Sequence, residues 1–154
     1  MLTESFETLF CQEKMLEALE RYKDSPEYTI TKDAINSGAF RKTLEQGYIP
    51  DPLQAFEIPK SNGEMRQLAE ASLSSKVVQK IIADALSKHI KLNDKSYAFR
   101  QGKGTLKAIN RTKDFLKVYT HVAKADIDDF FDTIDQTKLM YLLNKIILDK
   151  KIVL

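Results

Sequence analysis

The sequence predicts an α/β fold, or more loosely an α+β fold, made of several helices and a few strands. Residues 75–90 repeat apolar side chains every three to four positions, which is the period of an amphipathic helix. The pair Asn62-Gly63 separates two short apolar runs, and this is the strongest local signal for a β-hairpin. Residues 118–127 are predicted to form a further strand, which runs into an aspartate-rich stretch, ADIDDFFDTID.

Two helices are predicted before the hairpin. Residues 4–22 carry a helical stripe of five apolar side chains, which are Phe6, Leu9, Phe10, Leu16 and Leu19. Pro26 ends this helix, and residues 33–46 form a second one that ends at Gly47. The prolines of YIPDP then favour an extended connector, because a proline disfavours helix in the residue before it.

The hairpin and the later helices follow in order. Lys60 is expected near the hairpin turn and Arg66 on the return strand. After the helix at 75–90, a glycine-containing loop leads to a helix over residues 106–117. The last helix is expected from about Lys138, with Asp135 as its N-cap.

Charge is distributed unevenly along the 154 residues. The net charge is only +2, but residues 60–124 carry +9 while residues 1–59 carry −5. Such a basic block suits a polyanion, of which nucleic acid is the commonest, and the alternative is a solvated lysine-rich surface. No apolar run is long enough to span a membrane, and acids stand where a signal peptide needs cations, so we expect a cytoplasmic protein without a membrane partner.

Asp126 is expected at the end of a strand, where its carboxylate would be held against a cleft. Magnesium prefers hard oxygen ligands, commonly one or two carboxylates with substrate phosphates, and Asp126 could share this role with the backbone carbonyl of Ile127. An EF-hand loop is disfavoured because Phe131 and Thr137 occupy its glycine and glutamate positions. For Asp132 and Asp135 we adopt a purely structural interpretation, in which their negative charge stabilises the N-terminus of the following helix.

Four stretches resemble, in the right order, the reverse transcriptases of the group II intron and retron-like type. IPKSNGEMRQL resembles their fingers hairpin, and SKVVQKIIADALSKHI resembles the helix that follows it. SYAFRQGKGTLKAI resembles their Ser-Tyr-Gly-Phe-Arg-Pro-Gly-Arg motif, and ADIDDFFDTID resembles their first catalytic motif. The wording DIDDFFD, together with a GKG loop, also resembles reverse transcriptases linked to CRISPR adaptation genes.

The resemblance implies roles for individual residues. Asp126 corresponds to the catalytic, metal-binding aspartate and Ile127 to the residue that offers its carbonyl, with Mg²⁺ or Mn²⁺ as cofactor. Phe131 corresponds to the aromatic under the incoming sugar, and Lys60 and Arg66 to the cations that hold the incoming triphosphate. The segment expected to lie along the nucleic acid contains Tyr97, Phe99, Arg100 and Lys103, although core packing is an equal alternative for its two aromatic residues.

The implied architecture is an N-terminal helical segment over 1–48, a fingers-like region over 49–117 and the first strand and helix of an incomplete polymerase palm over 118–154. By strand alternation, Asp126 should face the cleft and Ile127 the core, while Phe130 packs inward beneath the last helix. The implied partners are an RNA template, a DNA or RNA primer and deoxynucleotide triphosphates, with a CRISPR adaptation or intron RNA partner as a further expectation.

Departures from the family pattern limit what this chain does alone. Gln67 and Gln101 replace the usual prolines, and the second catalytic motif, Tyr-x-Asp-Asp, is missing from the 154 residues. The apolar ending DKKIVL suggests a chain cut within a domain. We therefore expect RNA-directed DNA synthesis in the full-length parent and no polymerisation by this chain. The alternatives are a non-catalytic nucleic-acid-binding remnant and an interaction fragment that depends on a partner chain.

Overall fold

The fold is α+β, as the sequence predicts. The computed structural model describes residues 1–100, 102–127, 130–131 and 133–152. Within these residues there are seven α-helices and one two-stranded antiparallel sheet. The chain divides into two compact units, the first formed by residues 1–89 and 140–154 and the second by residues 90–139.

The N-terminal part of the first unit contains four short helices where two longer ones were predicted. They are α1 (Phe6–Leu9), α2 (Gln12–Leu19), α3 (Tyr28–Asn36) and α4 (Ala39–Glu45), with a 3₁₀ turn at Glu20–Tyr22. The first prediction fails at Cys11, whose extended backbone starts a new helix. The second fails at Gly38, whose left-handed φ of 76° separates α3 from α4 and is accessible to glycine at little cost.

Helix α5 (Leu73–His89) follows the hairpin strands β1 (Gln54–Pro59) and β2 (Met65–Glu70), close to the predicted bounds. Its buried face packs against α2 and contributes to one apolar cluster. The buried members on α5 are Leu73, Val77, Val78, Ile81 and Ala85. The apolar residues whose spacing of three to four identified this helix in the sequence therefore lie on the face that builds the core.

Carboxylates and hydroxyls satisfy the start of α5. Glu27 accepts a hydrogen bond from the Leu73 backbone N–H at 2.9 Å, and the Ser72 hydroxyl donates to Asp51 at 2.6 Å. The buried Ser75 hydroxyl lies 2.6 Å from the Tyr48 hydroxyl. The first N–H groups of a helix lack intrahelical partners, and here Glu27 accepts from that of Leu73 while the Ser72 hydroxyl accepts from that of Ser75, which helps to fix where α5 begins.

The end of the chain closes the first unit against its beginning. Leu2 and Ile147 form an isolated parallel bridge, and both side chains are buried. Asp149 accepts a hydrogen bond from the Phe6 backbone N–H at 2.7 Å, at the start of α1. Lys151 forms an ion pair with Glu7 at 3.0 Å. Residues 149 and 151, which are far away in sequence, thus supply a hydrogen bond and an ion pair to helix α1.

The second unit contains α6 (Thr105–Leu116) and the start of α7 (Gln136–Ile146), near the predicted bounds. The predicted N-cap is confirmed, since Asp135 accepts a hydrogen bond from the Lys138 N–H at 2.9 Å. The helix-start interpretation of Asp132 lies outside the described residues. None of the second unit's residues that the structure describes is buried.

The strand predicted over residues 118–127 is wrong for this structure. Residues 117–120 form a turn and a bend, and residues 121–127 have no regular secondary structure. A strand needs a neighbour for its N–H and C=O groups, and the two strands in the described part of the chain pair with each other. Without a sheet there is no buried face, and Ile127, expected in the core, is exposed.

Replacement of Leu19 by alanine tests the core of the first unit. Leu19 is 0% exposed, so we expect Leu19→Ala to lower the free energy of unfolding by about 2–5 kcal/mol through lost burial and a cavity. The matched control is Ile30→Ala on α3, which is 75% exposed and should change it by less than about 0.5 kcal/mol. Urea unfolding measures both, and equal effects would contradict this description of the core.

Glu7 makes the stability of the first unit depend on pH in the acid range. Its own backbone N–H, then Lys151 and Ser5, donate hydrogen bonds that lower the pKa of Glu7 from 4.5 to about 2. A lowered pKa stabilises the fold above about 4.5, and this contribution disappears as the pH falls towards 2. We expect wild type to melt above Glu7→Gln at pH 6 and the difference to vanish near pH 2. A constant difference in melting temperature across that range would count against this role.

Candidate functional site

The hairpin brings two of the predicted cations to one face near its tip. Ile58 pairs with Arg66 in the antiparallel register, and Lys60 lies two residues further along the same face. Ile58, Lys60 and Arg66 border a shallow cavity of about 390 Å³ together with the turn residues. The sequence predicted the hairpin and both positions, and the register places the two cationic residues diagonally on one face.

The turn itself differs from the expected two-residue form. The Gly63 N–H donates to the Lys60 carbonyl at 3.0 Å, and the Lys60 N–H donates to the Glu64 carbonyl at 2.7 Å. Gly63 alone has positive φ, at 87°, whereas a two-residue Asn-Gly turn would require it at Asn62 as well. The loop is therefore three residues long, with Gly63 in the left-handed position that follows a type I turn.

The two cations of the hairpin differ in their partners. Lys60 forms a hydrogen-bonded ion pair with Glu64 at 2.9 Å. The hydrogen bond from Lys60 has the larger effect and that from Asn62 the smaller, and together they hold the pKa of Glu64 below its usual range. Among the described residues, the Arg66 guanidinium has neither an ion pair nor a hydrogen bond. Arg66 is thus available to an anion, while Lys60 keeps two ammonium hydrogens but has its charge offset by Glu64.

The loop before α6 contains the four residues assigned to nucleic acid. The Arg100 guanidinium donates to the carbonyls of Asn93 and Ser96 at 2.7 and 3.2 Å, which fixes it within the loop. Lys103 lies over the Tyr97 ring at 4.7 Å and donates to the Asp94 carbonyl at 2.5 Å. Arg100 therefore has a structural role, and Lys103 keeps two of its three ammonium hydrogens for other partners.

The two aromatic residues of this loop differ in exposure. Tyr97 is half-buried beneath Lys103, whereas Phe99 is fully exposed. Phe99 also has a φ of 54°, which is rare for a bulky side chain and found mostly where the surroundings enforce it. The core-packing alternative is wrong for Phe99, which presents its whole ring to solvent.

Helix α6 adds cations that the sequence reasoning missed. Lys107 and Arg111 lie one turn apart and border the same cavity, of about 310 Å³, as Tyr97 and Lys103. Lys107 donates to the Gly102 carbonyl at 2.6 Å, and the Arg111 guanidinium lies 4.4 Å from the Phe115 ring centroid. The spacing of four between Lys107 and Arg111 on a predicted helix is a signal that could have identified them.

The start of the aspartate-rich stretch is exposed. The Asp126 carboxylate accepts a hydrogen bond from the Ile127 N–H at 3.0 Å, and it has no cationic partner among the described residues. Phe131 is 83% exposed, and its ring lies 5.2 Å from that of Phe130 in an edge-to-face contact. Phe130 was expected to pack inward and is instead half exposed, and none of the other described residues of this unit is buried either.

Comparison with known families covers most of these elements. Residues 58–154, more than half of the chain, match the family described as reverse transcriptase (RNA-dependent DNA polymerase). The chain belongs to the reverse transcriptase family. No curated protein matches it at a significant level. Among the described residues, no helix is long and apolar enough to cross a membrane.

The family match relates the hairpin cations and the candidate residues of the second unit to one family of enzymes. Reverse transcriptases act on a nucleic acid template, a primer and nucleotide substrates. In this reverse transcriptase chain the hairpin cations belong to the first unit, and Asp126, Phe131 and the loop around Tyr97 belong to the second. Each group has the chemical character expected for phosphate, metal or base contacts within its own unit.

The donor set at Asp126 fits part of a magnesium site. Its carboxylate is exposed and is not neutralised by a described cation, and the adjacent peptide supplies a carbonyl oxygen. Both are the hard ligands that Mg²⁺ prefers. No three metal-ligating side chains converge anywhere in the described ranges of this reverse transcriptase, Asp126 included. The Asp126 carboxylate and the Ile127 carbonyl thus fit two of the ligands of one magnesium ion, and further groups would have to supply the rest.

Replacement of Arg100 tests its role in holding the loop. We expect Arg100→Ala to speed amide exchange at residues 93–103, because the loop loses the guanidinium that joins Asn93 to Ser96. Lys95→Ala is the matched control in the same loop and should leave exchange unchanged. Hydrogen exchange with mass spectrometry measures both variants. Unchanged exchange in Arg100→Ala would show that the loop is held by other contacts.

Proposed function

We propose that this chain is the fingers and the start of the palm of a reverse transcriptase of the group II intron or retron-like type. In this proposal residues 1–48 are an N-terminal helical segment, 49–117 the fingers-like region and 118–154 the first strand and helix of the palm. Residues 118–127 would become a strand when a neighbouring strand pairs with them. The family match over 58–154 supports the proposal, and the hairpin that aligns Lys60 and Arg66 is the observation that carries it.

The proposed reaction is template-directed DNA synthesis. The 3′-hydroxyl of a DNA or RNA primer attacks the α-phosphate of a deoxynucleotide paired with the RNA template, the new phosphodiester bond forms, and pyrophosphate leaves. Arg66 would hold the triphosphate bidentately, and Lys60 would add a point charge beside it. Asp126 and the Ile127 carbonyl would hold Mg²⁺ or Mn²⁺, which when bound stabilises the charge on the attacking and leaving oxygens.

Phe131 is proposed to select the sugar of the incoming nucleotide. Its ring is exposed and is backed by the edge-to-face contact with Phe130. An aromatic surface against the sugar leaves no room for a 2′-hydroxyl. Phe131 therefore acts by shape, whereas Asp126 acts by charge, and the two roles can be separated by substitution.

The chain alone is proposed to be inactive. Its 154 residues contain no Tyr-x-Asp-Asp sequence, so the second set of metal-binding carboxylates has no counterpart here. One carboxylate and one carbonyl cannot hold two metal ions against a triphosphate. Activity would require a polypeptide or a partner that supplies the second motif.

Two further candidates rest on specific observations. The net charge of +9 over residues 60–124, with the Lys103–Tyr97 contact, favours a non-catalytic nucleic-acid-binding remnant. The absence of buried side chains among the described residues of the second unit favours a fragment that depends on a partner chain. The DIDDFFD wording and the GKG loop suggest a CRISPR adaptation or intron RNA partner.

Asp126→Asn tests the catalytic assignment. In a form of the protein extended to include a Tyr-x-Asp-Asp hairpin, this change removes the charge with little change of shape, so incorporation of labelled deoxynucleotide should fall to background while folding persists. Phe131→Ala should keep incorporation measurable and raise ribonucleotide incorporation. The 154-residue chain should incorporate nothing. Full activity of Asp126→Asn in the extended protein would remove Asp126 from the site.

Glu64→Gln tests the triphosphate assignment in the chain as it stands. The change removes the carboxylate that competes for Lys60, and the backbone bonds of the turn do not need it. We expect a deoxynucleoside triphosphate to bind roughly two- to fivefold tighter, as measured by NMR titration. Glu57→Gln changes the same charge on the opposite face of the hairpin and should have little effect. If both variants bind equally, Lys60 does not contact the triphosphate.

A further inference from the structure

One face of α6 and the loop before it form a cationic surface within the second unit. Lys103, Lys107 and Arg111 border a single shallow cavity of about 310 Å³. Lys107 and Arg111 are separated by one helical turn, or about 6 Å along the axis. Three cations therefore line one track rather than being spread around the helix.

One carboxylate that borders this track has a cationic partner outside it. Asp114 borders the cavity but pairs with Lys117 at 2.9 Å. The hydrogen bond from Lys117 comes first among the causes that hold the pKa of Asp114 below its usual range. The Lys103 and Lys107 ammonium groups each donate one described hydrogen bond to a backbone carbonyl, so each keeps two hydrogens free. The track thus carries unbalanced positive charge and unused donors.

The ring of Phe99 stands in the same loop, four residues before Lys103. It is fully exposed and held in the left-handed region, so it offers both faces to a ligand. Every nucleobase has a flat face that can stack on such a ring, but only an unpaired base can use it. Cationic side chains combined with an exposed aromatic ring are the features by which proteins bind single strands, and here the ring belongs to the same loop as Lys103.

We propose that Lys103, Lys107 and Arg111 bind consecutive phosphates of single-stranded nucleic acid while Phe99 stacks an unpaired base. This inference rests on the proposed function, and it deepens it by assigning two helix residues and one form of nucleic acid. Arg100 is not assigned to this track, because it does not border the cavity and both hydrogens of one of its guanidinium nitrogens are donated to the carbonyls of Asn93 and Ser96. The proposed phosphate contacts therefore lie on Lys103 and on the face of α6 that carries Lys107 and Arg111.

The experiment measures binding of the purified chain to a fluorescein-labelled oligouridine RNA at a series of salt concentrations. Each phosphate contact to a single strand contributes about 0.7 to the slope of log affinity against log salt. We expect Lys107→Gln and Arg111→Gln each to lower the slope by about that amount. Lys113→Gln is the matched control, since Lys113 lies on the opposite face of α6 with Leu106 and Ile109, and its slope should stay at the wild-type value.

A second arm compares the same RNA with its duplex. Phe99→Ala should weaken single-strand binding severalfold, Phe99→Tyr should restore it, and duplex binding should stay unchanged in both variants. Far-UV circular dichroism confirms folding of each variant. The proposal is overturned if wild type does not bind, if Lys113→Gln lowers the slope as much as Arg111→Gln, or if the duplex binds more tightly than the single strand.

These binding measurements are independent of catalysis. Loss of the proposed function would be seen as DNA synthesis that survives Asp126→Asn in an extended protein, with the salt slopes unaffected. Failure of the phosphate track would be seen in the slopes alone, with Asp126 still required for synthesis.

Discussion

The burial of one face of α5 is the constraint on which the described fold depends. Val77 is fully buried, and with its neighbours on that face it packs against the N-terminal helices. Burying an aliphatic side chain of this size contributes about 1.5–3 kcal/mol, so a face with four such side chains and Ala85 outweighs the weak preferences of the short helices around it. Helices α1 to α4 are too short to persist alone and are held by this packing.

The same helix gives the hairpin a fixed base. Strand β2 ends at Glu70, only a few residues before Leu73, and the start of α5 is fixed by Glu27, Asp51 and Ser72. The two strands are exposed on both faces and have no sheet beyond each other. Since an isolated hairpin is marginally stable in water, its attachment to a buried helix is what lets the tip present Lys60 and Arg66.

The second unit has no paired strands among its described residues. Its described residues include two helical segments and exposed aromatic rings but none that is buried. Polar contacts define its loop, where Arg100 and Lys103 hold backbone carbonyls. In this part of the reverse transcriptase chain, Asp126 and the rings of Phe130 and Phe131 are exposed.

The sequence by itself determined the features that depend on local spacing. The helical period identified α5 and α6, Asn62-Gly63 identified the hairpin, and Asp135 was the N-cap of α7. The ordered motifs also led to the reverse transcriptase family, to which the chain belongs.

Tertiary structure decided the features that depend on distant partners. The bonds from the Arg100 guanidinium to the carbonyls of Asn93 and Ser96 depend on how the loop folds, and Lys107 and Arg111 border the same cavity as Lys103 only because the loop lies beside α6. Residues 118–127 had the composition of a strand, but a strand exists only when another chain segment completes its hydrogen bonds.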